Sequence, residues 1–310
     1  MVINEYDDKT YKINPETGEV TEMMQLLVPI GTITRSPHQQ KATQEWLKSK
    51  ERRAAKLRYM NLAKKELGNF YFILADNVFA DLKPQTIAKL VMLCTYLWYD
   101  DMFRRSQKNT IKKTDLQKIL NISKKAAYDF WKEVENRYIV ERDGDLYISD
   151  NAHIFRHKLP DCQGADFIHY QKAYCNSIRK LYNSTSVRKH KQLGYVFKLL
   201  PFINLQYNIF CRNPFEQELK EIEPLTVADL CNLVGYDTTQ ASRLLKELQA
   251  LTFEHNHEEE FLISYVDNGT NTPYSKRIFV NPNIIYNGSD FRQVKVLGAF
   301  CKTKSENSRH

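Results

Sequence analysis

The sequence repeats itself at a spacing of 114 positions, and no other feature limits the possible folds as strongly. Residues 115–139 laid on 229–253 align without a gap. Asp115/Asp229, Leu116/Leu230, Ala127/Ala241, Lys132/Lys246 and Glu133/Glu247 are identical. Ile119/Leu233, Leu120/Val234, Ile122/Tyr236, Phe130/Leu244, Trp131/Leu245, Val134/Leu248 and Ile139/Phe253 keep apolar character. Upstream, an offset of 106 pairs Ile87, Leu90, Val91, Leu93 and Leu97 with Leu193, Val196, Phe197, Leu199 and Ile203. Downstream, an offset of 130 pairs Ile148, Asn151 and Ile154 with Ile278, Asn281 and Ile284. The growing offset gives the second copy longer loops at two places. A chain of 310 residues holds about two domains of roughly 150 residues each, so two copies of one unit account for most of it.

Each copy reads as helix, loop, short helix, turn, helix and two strands. The first copy places these at 84–99, 114–120, 124–136, 138–141 and 145–149. The second places them at 189–203, 226–234, 238–250, 261–266 and 276–280, with "DNGTNTPY" as the tip between its strands. Ahead of the repeats, "YKINPETGEV" sets Pro15 and Gly18 in a tight turn, the mark of a hairpin. Residues 38–67 lack Gly and Pro and carry an imperfect helical stripe that includes Trp46, Leu47 and Leu57. Between Lys41 and Glu66 stand nine basic and three acidic residues, and Gly68 stops the helix. The expected organisation is an N-terminal hairpin and basic helix (1–68), a first domain (69–160), a connecting helix (161–183), a second domain (184–302) and a frayed tail (303–310). The fold class is mainly α with small β-hairpin wings.

The helix "YDTTQASRLLKEL" shows what the repeated unit can do. At 100° per residue, Ala241, Leu244, Leu245 and Leu248 share one face. Thr239, Arg243 and Lys246 point away, flanked by Thr238, Gln240 and Ser242. A helix that enters a major groove needs this division: one face packed on its neighbour, the other offering donors and acceptors to base edges. Asp237 can cap it, and its first-turn amides can take a phosphate. Upstream, "TVADLCNLVG" supplies a capped partner helix with Gly235 in the turn. Downstream, Lys276 and Arg277 sit near the base of the hairpin. Helix-turn-helix plus hairpin is a winged helix.

The stretch "LTVADLCNLVGYDTTQASRLLKELQAL" resembles the winged helix-turn-helix of bacterial regulators of the multiple-antibiotic-resistance-regulator type, with Ser242 and Arg243 at the Ser and Arg of that pattern. "RIFVNPNIIYNG" resembles replication proteins of Firmicute plasmids and similar phage-borne proteins. These resemblances imply two tandem winged-helix domains. They also imply a protein that binds double-stranded DNA for a mobile element or phage, as a transcriptional regulator or as a replication initiator at origin repeats.

The first copy departs from the pattern. Asp129 stands where Arg243 does, and Tyr128 where Ser242 does. Lys124, Lys125 and Lys132 can offset that carboxylate, and Tyr128 can stack or hydrogen-bond. This unit either holds DNA through its lysines or serves as a packing or dimerisation module.

The net charge of +8 and pI ≈ 9.0 fit a nucleic-acid partner without requiring one. The excess is spread evenly, +3, +3 and +2 over 1–68, 69–160 and 161–310. The six cysteines form no CxxC pair and read as buried, reduced thiols. His153 and His157 lack the carboxylate of a zinc-protease helix, and "HNHEEE" at 255–260 reads as a solvated loop. Asp100-Asp101 with Arg104-Arg105 reads as a local salt-bridged loop. There is no GxxxxGK[ST], GxGxxG or GxSxG, and no apolar run approaches the length of a membrane span. The expectation is a cytoplasmic, non-catalytic protein without cofactor or metal. Thr238, Thr239, Gln240 and Arg243 would meet base edges, and Ser242, Lys246, Lys276 and Arg277 would position phosphates. Oligomeric state is open between monomer and symmetric dimer, and replication or transcription machinery is a further partner. The reading from another class is a winged-helix module that binds proteins.

Overall fold

The computed structural model describes residues 10–14, 16–23, 38–51, 67–75, 79–156, 169–267, 276–287 and 300–301. The chain divides into two compact units, 1–55 and 56–310. In the smaller unit, β1 (Thr10–Ile13) pairs antiparallel with β2 (Val20–Met23), Ile13 opposite Val20. Gly18 closes the turn at φ +70°, and its N–H donates to the Asn14 carbonyl; only glycine adopts that backbone freely. Pro15 lies outside the described residues. Helix α1 covers 38–51, with Trp46 and Leu47 exposed and the Lys50 ammonium over the Trp46 ring. The rest of the expected basic helix, 52–66, lies outside them too.

The larger unit is α+β, built of helices with small antiparallel hairpins. Its elements begin with β3 (Phe70–Leu74), α2 (Pro84–Cys94), β4 (Arg104–Ser106), β5 (Asn109–Thr110), α3 (Leu116–Ile119), α4 (Lys124–Val134), β6 (Ile139–Arg142), β7 (Asp145–Ile148) and β8 (Ile154–Phe155). Then come β9 (Tyr170–Tyr174), α5 (Cys175–Ser184), α6 (His190–Lys198), α7 (Val227–Val234), α8 (Ala241–Gln249), β10 (Thr252–His255), β11 (Glu258–Phe261), β12 (Ile263–Asp267) and β13 (Lys276–Val280). One apolar cluster runs through both halves of this unit.

The repeat is longer than the sequence discloses. In the first copy the Phe103, Ile111 and Ile148 amides donate to the carbonyls of Leu146, Phe103 and Asp101. In the second copy Phe210, Leu225 and Val280 donate to Ile278, Phe210 and Asn208 in the same pattern. Asp101 and Asn208 share a left-handed backbone, φ 61° and 54°. The likeness extends to β3 and β9, because Leu74 N–H donates to His153 and Tyr174 N–H donates to Ile284, both at 2.9 Å. β3 and β9 pair antiparallel with Phe72 opposite Lys172, and these two residues occupy the same place in their copies. A strand that faces its own counterpart this way lies on a local twofold axis. The copies thus meet as the halves of a symmetric dimer would, with β8 on the outer edge of β3 and residues 284–286 on that of β9.

The second contact across this axis is α2 against α6. α2 starts with Pro84, whose missing N–H costs nothing in a first turn. Every side chain from Thr86 to Cys94 is buried, as in a helix enclosed on all sides. At Gly194 of α6 an added Cβ would lie 1.7 Å from the Pro84 carbonyl oxygen, so no other residue fits without moving a helix. His190, at the start of α6, is buried against Tyr182, ring centroids 4.2 Å apart. Burial, together with the nearby Lys89 ammonium, pulls its pKa down to about 4, although hydrogen bonding to backbone at Thr185 and Tyr182 works the other way.

Three sequence expectations need correction. The connecting helix expected over 161–183 is strand β9 followed by helix α5. "YQKAY" alternates, with Gln171 and Ala173 buried and Tyr170 and Lys172 half-buried, which is the period of a strand; 161–168 lie outside the described residues. "HNHEEE" is a hairpin: β10 pairs with β11 through a turn at Asn256 and His257, φ 49° and 66°. Asp143 and Gly144 make a turn of the same left-handed kind between β6 and β7, φ 52° and 82°. The β10–β11 hairpin is the addition to the second copy, whereas β12–β13, the expected wing, is the counterpart of β6–β7: Ile263 pairs with Val280 as Ile139 pairs with Ile148, and the Asn281 amide donates to Leu262 as the Ser149 amide donates to Tyr138. Between β7 and β13 the offset is 132, since Leu146 corresponds to Ile278 and Ile148 to Val280. A slip of two residues keeps every strand side chain on its own face, so the apolar pattern could not disclose it.

Two outcomes follow. Gly194→Ala should lower the unfolding free energy by about 3 kcal/mol, read from denaturant midpoints, because overpacking a closed helix contact forces backbone shifts. His190 has a folded-state pKa below its unfolded value, so its contribution is complete above about pH 6.5 and is lost as pH falls towards 4. Unfolding titrations of His190→Gln should show a flatter pH dependence across that window than the unchanged protein.

Candidate nucleic-acid interface

The helix pair α7–α8 is fixed locally by its caps. Thr226 Oγ1 accepts from the Asp229 amide at 3.1 Å, and Asp229 Oδ2 accepts from the Thr226 amide at 2.9 Å. Gly235, at φ +71°, ends α7, with the Tyr236 amide bonded to the Cys231 carbonyl. Asp237 then accepts from the Thr239 amide and hydroxyl, 2.9 and 2.8 Å. Those two bonds hold its carboxyl below the usual range. One 3-10 turn, Thr238–Gln240, leads into α8.

α8 divides as its sequence requires. Leu244 and Leu248 are buried, and Ala241 and Leu245 half-buried. Thr238, Thr239, Gln240, Ser242, Arg243 and Lys246 are all exposed. Arg243 Nε donates to Glu247 Oε1 at 2.8 Å, and Gln192 Nε2 on α6 donates to Glu247 Oε2 at 3.0 Å. The Thr239 hydroxyl gives its proton to Asp237 and is left with acceptor capacity.

Two of the identical pairs, Glu133/Glu247 and Asp115/Asp229, prove to be fasteners of the repeat. Glu247 accepts from Gln192, and in the first copy Glu133 accepts from Thr86 at 2.7 Å. Gln192 and Thr86 hold equivalent places on α6 and α2. Asp229 pairs with Arg212 at 2.7 Å, and Asp115 with Arg105 at 3.4 Å, again from equivalent places. Burial alone would raise the Asp229 pKa, but hydrogen bonds from Thr226 and then the Arg212 charge hold it below the ordinary value.

The corresponding face of the first copy is exposed and mixed in charge. Ser123 caps α4 through the Ala126 amide, and Lys124, Lys125, Tyr128, Asp129 and Lys132 face solvent. Lys132 Nζ lies 4.8 Å from the Tyr128 ring centroid, and the Tyr128 hydroxyl raises its pKa. Glu133 is bound to Lys83, Nζ to Oε1 2.6 Å, as well as to Thr86.

Among the described residues the hairpins do not extend a basic surface. Glu254, Glu258 and Glu259 are exposed on β10–β11, and Glu141, Arg142 and Asp143 on β6–β7. Lys276 opens β13 opposite Asp267. Arg277 lies opposite Val266, half-buried, its Nε sealed from solvent without a hydrogen-bond partner. Residues 268–275, the expected tip, lie outside the described residues. Lys191 is a basic group that sequence reasoning passed over: exposed on α6, its charge acts on Glu247. Exposed Arg188 and Lys189 precede it. The run "RKHK" was the available signal.

Cys94, Cys175, Cys211 and Cys231 are buried free thiols, and burial pushes Cys211 up to about 12; Cys162 lies outside the described residues, as does His157. The expected loop pairs Arg104 with Asp100. Among the described residues no group of three or more His, Cys, Asp or Glu side chains could hold a metal ion, and no helix is long and apolar enough to cross a membrane. No family model, curated protein or solved structure matches this chain.

Asp229→Asn should destabilise by about 1 kcal/mol at neutral pH, a usual value for a lost cap. The difference should vanish in urea titrations carried out below the carboxylate range, because a depressed carboxyl contributes only above its folded-state pKa.

Proposed function

We propose that the protein is a sequence-specific double-stranded DNA-binding protein made of two winged-helix units, with α8 as its base-reading helix. The observation that carries this reading is the uncovered polar face of α8. Six hydrogen-bonding side chains, Thr238 to Gln240, Ser242, Arg243 and Lys246, are exposed on α8 and the turn that leads into it, while the other face of the helix is anchored by Leu244 and Leu248. Base edges in a major groove present complementary donors and acceptors. The basic groups around α8, Lys191, Arg188 and Lys189, suit phosphate contacts.

The two copies divide the work. With Asp129 in place of Arg243, α4 presents a carboxylate to any phosphate it approaches, and Lys124, Lys125 and Lys132 surround it. The first unit thus supplies general electrostatic attachment and the second supplies selection. Exposed glutamates on β10–β11 keep that added hairpin off the phosphate backbone, so the contact centres on α8.

The use we favour is transcriptional regulation for a mobile element or phage. Initiation of replication at repeated origin sites employs the same surface, and the location of the sites separates the two. Selection of bound duplexes from a random pool supplies the target. Arg243→Ala should then cost about 1–3 kcal/mol and relax preference at one base pair. Lys246→Ala should weaken binding to all sequences alike and reduce the slope of log K against log salt by about one. Failure to bind any duplex at low salt would overturn the reading in favour of a protein-interaction module.

A further inference from the structure

We propose that Glu247 is a positioning residue that presents the Arg243 guanidinium to a guanine, and so dictates one base of the recognised sequence. This rests on the DNA-binding reading and deepens it.

Arginine on a solvent-facing helix ordinarily samples many rotamers and loses that freedom on binding. Arg243 does not stand alone. Its side chain is 69% exposed, yet its Nε is bonded to Glu247 Oε1 at 2.8 Å. The carboxylate is itself held, because Oε2 accepts from Gln192 of α6 and the side chain is only 26% exposed. The other contact of the guanidinium, Nη1 to Gln240 Oε1, is long at 3.4 Å and lies within the same exposed turn. With the Nε side occupied, the terminal Nη1/Nη2 edge is the one left to a partner. That edge is a pair of donors. Guanine alone presents two adjacent acceptors in the major groove, O6 and N7; adenine sets a donor beside its N7, and thymine a methyl group beside its O4. A donor pair held in place before binding loses less freedom when it binds, which favours the matching base over its rivals.

The first copy supplies the contrast. Glu133 has the same place as Glu247 and the same tie to the first helix of its copy, but its remaining partner is Lys83, and Asp129 occupies the place of Arg243. The fastener persists there without the reader, and this unit should show no matching guanine dependence.

A carboxylate beside DNA also repels phosphates. If Glu247 acted merely through its charge, removing that charge would strengthen binding to every sequence by one factor. Positioning predicts opposite effects: stronger attachment to arbitrary DNA together with weaker selection at one base. The full-length protein is titrated against a selected duplex in which each guanine in turn is replaced by 7-deazaguanine, which lacks N7. The expected result is a roughly tenfold loss at one guanine, absent in Arg243→Ala. Glu247→Gln should keep or raise affinity for random duplex, and its loss at that guanine should shrink towards none. Gln192→Leu, which frees the carboxylate from α6 and leaves α8 untouched, should give a smaller change in the same direction; melting temperatures confirm that each variant is folded. Salt-dependent binding with no sensitivity to 7-deazaguanine anywhere would overturn the guanine assignment and leave DNA binding intact. Full discrimination in both variants would overturn the positioning role. Absence of duplex binding by the unchanged protein would overturn the underlying reading and this proposal with it.

Discussion

The closure of α2 on α6 around Gly194 is the constraint on which the rest of the larger unit depends. A carbonyl oxygen of Pro84 occupies the space where any side chain would begin, so the helices touch through backbone. The antiparallel pairing of β3 with β9 lies on the same local axis and closes the second seam between the copies. With two seams and a shared apolar cluster, neither copy can shift without exposing the core of the other. The spacing between α4 and α8 is therefore a property of the fold rather than of a linker.

Within that symmetric frame the two copies have kept their fasteners and changed their surfaces. The capping carboxylate with its arginine, and the glutamate that ties the last helix to the first, recur at matching positions. What differs is exposed: Arg243 against Asp129, Ser242 against Tyr128, and the extra β10–β11 hairpin in the second copy. Residues that hold the unit together are bound by geometry in both copies. Residues that face solvent are free to specialise, and their difference is the physical basis on which selection is proposed for α8 and attachment for α4.

Much of this was legible in the sequence. Helical periodicity located α2, α4, α6, α7 and α8 closely, because their apolar faces pack against one another and the pattern records that. The identities Asp115/Asp229 and Glu133/Glu247 marked the repeat, although their partners, Arg105/Arg212 and Thr86/Gln192, are joined by the fold and lie beyond local reading. β9 was missed because "HYQKAYCNSIRKLYN" contains no Gly or Pro to mark a break, and only pairing with β3 decides where strand gives way to helix. The β10–β11 turn was missed because His257 is an unusual residue for a left-handed turn position and its glutamates look like loop. The twofold relation could not be read at all, since β3 and β9 share almost no sequence and are equivalent only through their hydrogen bonds. For the interface, the polar face of α8 was visible from its spacing. The hold of Glu247 on Arg243 was visible only as an i, i+4 pair, and the contribution of Gln192 not at all.

The central claim is that the exposed face of α8 lies against base edges. The most direct measurement is photocrosslinking of the full-length protein to a selected duplex carrying 4-thiothymidine at successive positions, with the attached peptide identified by mass spectrometry. The account predicts attachment within residues 238–246 at a short run of adjacent positions. Attachment confined to the β10–β11 hairpin, to α4 or to residues 1–55, with α8 unlabelled at every position, would contradict it.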